Sequence, residues 1–280
     1  MSAAPVSAPS SLPGVNVLLI GPSGTGKTTA IKTLIDCGIT PFCVFTEPGF
    51  EVLGDIPPDK LHWHYVAPAT TGWASMIGMA EKVNMLSLKS LSDMVDSDKS
   101  KYNQFVSFLK VFNNYTCQRE GKTYGDVCSW GTDRALVVDT LTGINTMAMG
   151  AVVGGKPVRN QSDWGIAQNL VEAWFQKLCS DTRCHFIVMA HAEREVDMVS
   201  GQTKVMASTL GKALAPKLPR LFSDVVLAVK DADKFSWSTA ATGVDLKARN
   251  LEIKDNLPPD FGPIIASWKK RGGTIEAAKP

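Results

Sequence analysis

The chain has 280 residues, of which 44% are hydrophobic and 20% are charged, and its formal net charge is +2. This composition predicts a soluble globular protein with one large α/β domain, and two small domains are the second expectation. The charge is too close to balance to indicate nucleic-acid binding by itself, so any such binding needs a local basic patch.

Cysteine usage and the chain ends exclude further classes. The six cysteines are scattered and form no C-x-x-C pair, which argues against a zinc site and a disulfide framework and is typical of a reducing cytosol. No apolar run approaches the roughly 20 residues that span a bilayer, so no membrane contact is expected. Residues 1–13 are rich in Ala, Ser and Pro and lack basic residues, and we expect a flexible tail there and not a signal peptide. Residues 269–280 are expected to form a basic tail, which leaves residues 14–268 as the domain.

The first predicted strand, residues 15–20, leads into a phosphate-binding loop and then a helical pattern. The loop fits the motif G-x-x-x-x-G-K-[ST] and consists of Gly21, Pro22, Ser23, Gly24, Thr25, Gly26, Lys27, Thr28 and Thr29. Its glycines let backbone N–H groups surround phosphate oxygens, and the positive end of the following helix adds to the anion site. Lys27 is expected to reach the β- and γ-phosphates of a nucleotide, and the Thr28 hydroxyl to ligate Mg²⁺.

Strand-like and helical runs alternate along the rest of the chain. Strands are predicted at residues 41–46, 61–66, 135–139 and 185–190. Helices are predicted at about 72–112, with a polar break at 93–101, and at 163–178, while residues 118–125 have the composition of a loop. Short strand-like runs follow at 224–229, 235–239 and 244–247. The pattern predicts an α/β fold with a mainly parallel sheet flanked by helices and with late antiparallel strands.

Asp139 ends the apolar strand of residues 135–139. A carboxylate at the carboxyl end of a strand can hold Mg²⁺ through water, opposite Thr28. Many buried strands end in Asp, so the pattern is weak alone, and the phosphate loop is what favours the metal role.

Two other polar residues follow predicted strands. Glu47 comes just after the second strand, where ligand crevices of open parallel sheets lie, and it could orient and deprotonate the water that attacks the γ-phosphate. A glutamate in a turn before Pro48 is the equally good alternative. His191 follows the strand of residues 185–190 and could contact the γ-phosphate, although a histidine there more often has a structural hydrogen bond. The remaining histidines, at 62, 64 and 185, are interpreted as strand-face residues.

Basic residues recur in the second half of the chain. Lys247 and Arg249 point to one face of a late strand, which suits a bound phosphate oxygen, although a solvated strand edge explains the spacing better. The segments 150–162 and 193–219, the latter with Lys204 and Lys212, combine basic residues with glycines and could follow a phosphate backbone. Surface loops of that composition are also common without such a role.

Taken together, the phosphate loop, Glu47, Val138-Asp139-Thr140, Met189-Ala190-His191 and Lys247-x-Arg249 resemble the RecA-like ATPases. The resemblance covers residues 15–268 and is closest to the phage-encoded group that includes Sak-type single-strand-annealing recombinases. It implies that Glu47 activates water, that His191 senses the γ-phosphate, and that Lys247 and Arg249 reach across a subunit interface. It also implies that residues 150–162 and 193–219 are DNA-binding loops. Two departures from the pattern are expected: the absence of the N-terminal polymerisation domain of bacterial RecA, and a stretch at 90–130 that is longer than a minimal core requires.

The resemblance implies an ATPase that uses ATP and Mg²⁺, assembles as a homo-oligomeric ring or filament, and handles single-stranded DNA in phage recombination or replication. A single-strand-binding protein is a possible partner, and the host cytoplasm is the expected location. A nucleoside monophosphate kinase and a nucleotide-gated assembly protein without a DNA role are the alternatives. Such kinases need an arginine-rich lid, and the late antiparallel strands fit them poorly.

Overall fold

The structure is a computed structural model that describes residues 12–67, 72–94, 99–196, 201, 203–211 and 213–277. The predicted N-terminal tail therefore lies outside the described residues, except for its last two positions. Lys212 is also outside them.

Eleven strands form in the described part of the chain. They are β1 (Asn16–Ile20), β2 (Thr40–Phe45), β3 (His62–Tyr65), β4 (Tyr115–Thr116), β5 (Thr123–Gly125), β6 (Arg134–Asp139), β7 (His185–Ala190), β8 (Ala192–Val196), β9 (Thr203–Ala207), β10 (Asp224–Asp231) and β11 (Lys234–Ser238). Seven of them make one sheet in the order β11-β10-β1-β7-β6-β2-β3, while β4 with β5 and β8 with β9 form separate hairpins. Every neighbouring pair in the large sheet is parallel except β10 with β11.

Eight α-helices surround the sheet in the described residues. They are α1 (Lys27–Ala30), α2 (Lys32–Asp36), α3 (Trp73–Met85), α4 (Leu88–Ser92), α5 (Gln104–Asn113), α6 (Leu141–Val153), α7 (Gln161–Asp181) and α8 (Gly262–Lys270). Short 3-10 turns lie at Phe50–Leu53, Ser100–Tyr102, Val127–Ser129 and Ala215–Leu221. Among the described helices, none combines the length and the apolar composition that a membrane crossing requires.

Alternate residues of the central strands enter two cores, because successive side chains point to opposite faces of a sheet. On one face Leu18 and Val138 pack with α5, α6 and α7. On the other face Leu19 and Val137 pack with α2 and α8. With both faces covered, the central strands read as continuous apolar runs, which is why residues 135–138 lack any polar alternation.

Most predicted strands and helices are confirmed to within a few residues, including β7 at both ends. The antiparallel pairing predicted for the late strands is made by β10 and β11, while β10 itself is parallel to β1. Three details were wrong. Residues 244–247 form only isolated bridges, and residues 123–125, predicted as loop, form β5. Helix α6 was missed entirely.

The two segments suggested as DNA-binding loops, 150–162 and 193–219, contain regular structure. Residues 150–153 are the last turn of α6, and residues 161–162 begin α7. Residues 193–219 contain most of the β8–β9 hairpin. The predicted boundary at residue 268 cuts through α8, and Thr132 binds the backbone of Thr274 and Glu276, so the described part of the basic tail packs on the domain.

Candidate functional site

Four strand ends meet at one edge of the sheet. In the sheet order β1-β7-β6-β2, the register places Ile20 beside Ala190, and Asp139 between Met189 and Phe45. Since these strands are parallel, the residues that follow them converge, as is usual for ligand sites of open α/β sheets. The sequence-predicted residues of the loop, Glu47, Asp139 and His191 are thereby brought together.

The phosphate loop connects β1 to α1 in a shape that its residue types require. Gly24 and Gly26 have positive φ angles of 73° and 78°, a conformation that side chains with a Cβ rarely adopt. At Gly21 a Cβ would lie 2.7 Å from the carbonyl oxygen of Ala228 in β10. The Thr25 hydroxyl donates to the Pro22 carbonyl at 2.8 Å, a hydrogen bond within the loop that stabilises its turn. The backbone is thus held in the form that phosphate loops use to cradle anions.

Lys27 supplies a buried positive charge at this loop. Its Nζ donates to the carbonyl oxygens of Gly21 and Pro22 at 2.7 and 2.8 Å. Burial lowers the pKa of Lys27, while the negative charges of Asp139 and Glu47 oppose that change. A bound phosphate would replace these neutral carbonyl partners with charged oxygens, which form stronger hydrogen bonds with an ammonium group.

Thr28 and Asp139 place two hard oxygen donors side by side. The Thr28 hydroxyl donates to Oδ2 of Asp139 at 2.6 Å. Burial raises the pKa of Asp139, whereas the Thr28 hydrogen bond and the Lys27 charge act to lower it. Hydroxyl and carboxylate oxygens are the ligands that Mg²⁺ prefers, so this pair fits the ion. The Oγ1 atom of Thr140 is also buried beside it and has no hydrogen-bond partner among the described residues.

Thr46 ties two of these strand ends together. Its hydroxyl donates to the Thr140 carbonyl at 2.7 Å and accepts from the Thr140 N–H at 3.0 Å. Its backbone N–H donates to the Asp139 carbonyl at 2.8 Å. A Cβ at Gly143 would lie 2.3 Å from the Thr46 hydroxyl, so α6 approaches this contact closely. Thr46 therefore fixes the turn that carries Glu47 relative to Asp139.

Glu47 and His191 form a pair at the mouth of the site. Oε2 of Glu47 lies 3.1 Å from Nε2 of His191, and both side chains are about 30% exposed. A carboxylate and an imidazole in contact with solvent can position a water molecule and take up its proton. The His191 carbonyl accepts a hydrogen bond from the Ser208 N–H. The β8–β9 hairpin lies between these two residues in sequence, so both of its ends are close to the Glu47–His191 pair.

These groups line one cleft of about 240 Å³. Its walls are residues 23–29 of the phosphate loop together with Glu47, Pro48, Gly49, Val52, Asp139, Thr140 and His191. No arginine is among these described residues. The arginine-rich lid that a monophosphate kinase needs is thus not part of the cleft wall.

The family model for the AAA domain matches residues 14–249, which is most of the chain. The chain belongs to the AAA domain family. It is a P-loop ATPase. A search for similar sequences among curated proteins finds no match.

Solved structures resemble this AAA domain only distantly. An ATPase from the type III secretion system of pathogenic bacteria is 11% identical with a TM-score of 0.39, over 78% of this chain and 53% of that one. The RadB recombinase is 16% identical with a TM-score of 0.32, over 80% and 78%. The assembled secretion ATPase EscN of enteropathogenic E. coli is 13% identical with a TM-score of 0.34, over 77% and 43%. The chain thus spans about half the length of the two secretion ATPases.

Lys247 and Arg249 lie away from this AAA domain's own cleft. Lys247 pairs with Val225, which lies near the amino end of β10. Val225 is about three residues, or roughly 10 Å, from the sheet edge that carries the phosphate loop. Its Nζ donates to the Phe222 carbonyl at 2.6 Å, and burial lowers the pKa of Lys247, aided by the nearby charge of Arg249. Arg249 is exposed, and its N–H donates to Asp224 at 2.9 Å.

The basic side chains of the two suggested DNA-binding segments are partly engaged within the AAA domain. Nζ of Lys156 lies 4.0 Å from Asp163, and the guanidinium of Arg159 lies 5.8 Å from the Trp164 ring centroid. Nζ of Lys204 lies 2.7 Å from a carboxylate oxygen of Asp245.

Sequence reasoning missed Thr46, Thr140 and Gly143. The contacts that give them importance join positions 94 apart, and no motif spacing reveals them. The available signal was a Thr directly before Glu47 at a strand end, combined with a second Thr directly after Asp139.

Proposed function

We propose that this ATPase hydrolyses ATP with Glu47 as the base and acts on single-stranded DNA as a homo-oligomer, in the manner of the Sak-type annealing proteins that the sequence resembles. The observation that carries the chemical part is the meeting of Lys27, the Thr28–Asp139 pair and the Glu47–His191 pair at one sheet edge.

Each residue has a distinct part in the proposed reaction. Lys27 binds the β- and γ-phosphate oxygens, and Thr28 and Asp139 would hold Mg²⁺, which neutralises charge on those oxygens. Glu47 orients the attacking water and accepts its proton, and His191 holds the Glu47 carboxylate in place and contacts the γ-phosphate. The water oxygen bonds to the γ-phosphorus while the bond to the leaving ADP oxygen breaks.

The position of the β8–β9 hairpin supports the DNA role. Arg194 and Lys204 lie exposed on this hairpin. The hairpin starts directly after His191, which contacts Glu47. Single-stranded DNA bound on the hairpin would therefore influence the position of His191 and, through it, of Glu47. The contacts would be to phosphates, so affinity should fall steeply with added salt.

Exposed apolar surface supports assembly with a second copy of the chain. On α3 the side chains of Trp73, Met76 and Ile77 are 80%, 50% and 55% exposed. The same chain has an apolar groove between α5 and α7, at Leu109 and Leu170. A helix and a groove of matching character on one chain suit a head-to-tail contact, which generates rings or filaments.

Titration of labelled single-stranded oligonucleotide at several salt concentrations, with ATP and Mg²⁺ present, tests the DNA role. We expect binding, an affinity that falls with salt, and a flatter salt slope in the Arg194→Ala/Lys204→Ala double variant. Lys60→Ala, which removes an exposed positive charge outside the hairpin and outside α3, is the control for unrelated surface changes. No binding at low salt would favour the assembly protein without a DNA role, and phosphate transfer from ATP to an added nucleoside monophosphate would favour the kinase.

A further inference from the structure

A second cluster of side chains of metal-binding types lies at the amino end of β3, an edge strand of the large sheet. His62 of β3 meets Cys117 and Glu120 of the turn between β4 and β5, with one ligand atom from each within 4.8 Å of the others. Cys117 is fully buried and the His62 side chain is 5% exposed, while Glu120 reaches in from the surface. We propose that His62, Cys117 and Glu120 bind one divalent transition-metal ion of the zinc type.

The turn that carries two of the ligands has the form of a short metal-binding loop. Cys117 and Glu120 are three positions apart, within the spacing at which zinc ligands recur in such turns. Gly121 follows with a positive φ of 68°, and its N–H donates to the Cys117 carbonyl at 2.9 Å. The turn therefore closes on itself and keeps the thiol and the carboxylate on the same side as His62. The sequence argument against zinc rested on cysteine pairs, and here Glu120 takes the place of a second cysteine.

Contacts of Gln118 and Arg119 hold this turn against β3 independently of the three ligands. Gln118 donates from its N–H to the Trp63 carbonyl at 2.8 Å and exchanges side-chain hydrogen bonds with Tyr65. The Arg119 guanidinium donates to the carbonyls of Leu61 and Ile56 and stacks on Trp63. The three ligands are thus positioned before a metal binds, which lowers the entropic cost of binding.

The donor set decides which ion fits. Imidazole nitrogen, thiolate sulfur and carboxylate oxygen together are typical of zinc and related ions, whereas Mg²⁺ prefers oxygen alone. The neutral imidazole ring is the form of histidine that binds metals. A thiolate and a carboxylate would balance the charge of a divalent ion. A tetrahedral ion with bonds of about 2.0–2.3 Å separates its ligands by roughly 3.3–3.8 Å, so small side-chain rotations suffice.

The surroundings supply a further oxygen donor and two cations. The Tyr124 hydroxyl lies 2.9 Å from Glu120 and 3.3 Å from both ring nitrogens of His62, within reach of the same ion. The cations of Lys122 and Arg134 lie 5.0 and 5.6 Å from the Tyr124 ring centroid. They repel a further cation, so the bond to the Cys117 sulfur has to outweigh that repulsion.

The alternative is a hydrogen-bonded group in which Glu120 only pairs with His62 and Tyr124. In that arrangement, too, each group except the thiol has a partner, with Glu120 3.0 Å from Nδ1 of His62. The two interpretations differ in one respect that can be measured. Only the metal site makes a bond to the Cys117 sulfur.

Cobalt titration of the full chain, in excess Mg²⁺ to occupy the ATPase site, tests the proposal. A thiolate bound to Co²⁺ gives a near-ultraviolet charge-transfer band, and tetrahedral coordination gives intense visible bands. We expect one equivalent of bound cobalt in the wild type and in Cys128→Ser, a control at a partly buried cysteine outside the proposed site, and none in Cys117→Ser. Zinc added after cobalt should remove the bands.

Glu120→Gln is a second test, in case Cys117→Ser does not fold. Residue 120 is exposed, so this substitution should not disturb folding. It should keep the circular dichroism spectrum and ATP binding, and lower cobalt affinity by at least about tenfold. Absence of the charge-transfer band in the wild type overturns the proposal in favour of the hydrogen-bonded group. A band that survives in Cys117→Ser assigns the metal to another thiol and overturns it as well.

Discussion

Nε2 of His191 lies 3.1 Å from Oε2 of Glu47, although the two residues are 144 positions apart. They follow β7 and β2, and β6 lies between those strands in the sheet. The pair therefore spans the strand end that carries Asp139. Two carboxylates and an imidazole thus share one short stretch of the sheet edge.

The first prediction follows from this contact. His191→Ala should leave Glu47 without its partner and lower kcat by roughly 10- to 100-fold, because a base that is poorly oriented loses part of its effect. His191→Gln can still donate to Glu47 and should retain more of the activity. Steady-state ATP hydrolysis measures both, with nucleotide binding expected to change little. Equal losses in the two variants would assign His191 a role other than its hydrogen bond to Glu47.

The second prediction concerns the metal. Asp139→Asn keeps the shape of the side chain but removes its charge, so turnover should fall by more than tenfold while ATP affinity falls much less. Turnover by the wild type should require a divalent cation. ATP hydrolysis with and without EDTA, beside equilibrium nucleotide binding, tests this. Activity that EDTA does not change would contradict the metal role of Thr28 and Asp139.

The third prediction concerns Thr46. Thr46→Val removes both hydrogen bonds to Thr140 and leaves buried backbone groups unpaired, at a cost of about 1–3 kcal/mol in the free energy of unfolding. Because Thr46 directly precedes Glu47, kcat should fall as well. Thr46→Ser keeps the hydroxyl and should restore kcat, measured beside urea unfolding. If Thr46→Ser is as inactive as Thr46→Val, the hydroxyl does not position the turn.

The cleft was predictable to the extent that its signals are local in sequence. The phosphate loop, Asp139 and His191 each stand next to an apolar strand, and strand ends of a parallel sheet meet at one edge. The Thr46–Thr140 contact joins positions 94 apart. No periodicity records such a pairing, because it depends on strand order.

The missed elements have equally physical reasons. Helix α6 has seven buried residues on a 13-residue helix, so it lacks the polar face by which amphipathic helices are recognised. The parallel pairing of β10 with β1 was not predictable, because a strand's side-chain pattern is the same whether its neighbour is parallel or antiparallel. His62 was assigned correctly to a strand face, yet its ligand-like neighbours come from a hairpin more than 50 residues later.

The fourth prediction concerns His185 in β7. Nδ1 of its buried ring accepts the Val15 N–H at 3.2 Å, and the ring packs edge-on against Trp268. Burial lowers the pKa of His185 to about 4, against about 6.5 in an unfolded chain. This neutral histidine therefore stabilises the fold fully above about pH 6.5, and the contribution is lost as the pH falls towards 4. The loss between pH 7 and pH 5 is on the order of 2 kcal/mol.

Urea unfolding at pH 7 and pH 5 measures this loss. His185→Gln cannot titrate in this range and should show a smaller decrease than the wild type. Carboxylates titrate in both proteins, so the difference between the two decreases isolates the histidine. His64→Gln, a less buried position on β3, should behave like the wild type. Parallel decreases in the wild type and His185→Gln would show that His185 does not couple folding to pH.

The last prediction is that the active site is completed between subunits. No arginine lines the cleft among the described residues, and Arg249 lies exposed near the amino end of β10, away from its own phosphate loop. The transition state spreads charge over the γ-oxygens, and an arginine supplied there by a neighbour contributes roughly 10³–10⁵ in rate. Specific activity should therefore rise with protein concentration. Arg249→Ala should keep nucleotide affinity within a few-fold and lose most turnover.

Mixing two inactive variants distinguishes an Arg249 that acts on the neighbouring subunit's active site from an Arg249 with only a local structural effect. Arg249→Ala retains an intact loop, and Lys27→Ala retains an intact Arg249. In a mixed assembly some interfaces join the intact loop of one subunit to the intact arginine of the next, and these should recover part of the activity. Arg220→Ala, another exposed arginine, is the matched control and should stay active alone. A mixture as inactive as its parents, with mixed assembly verified by differently sized tags, would show that Arg249 does not act across the interface.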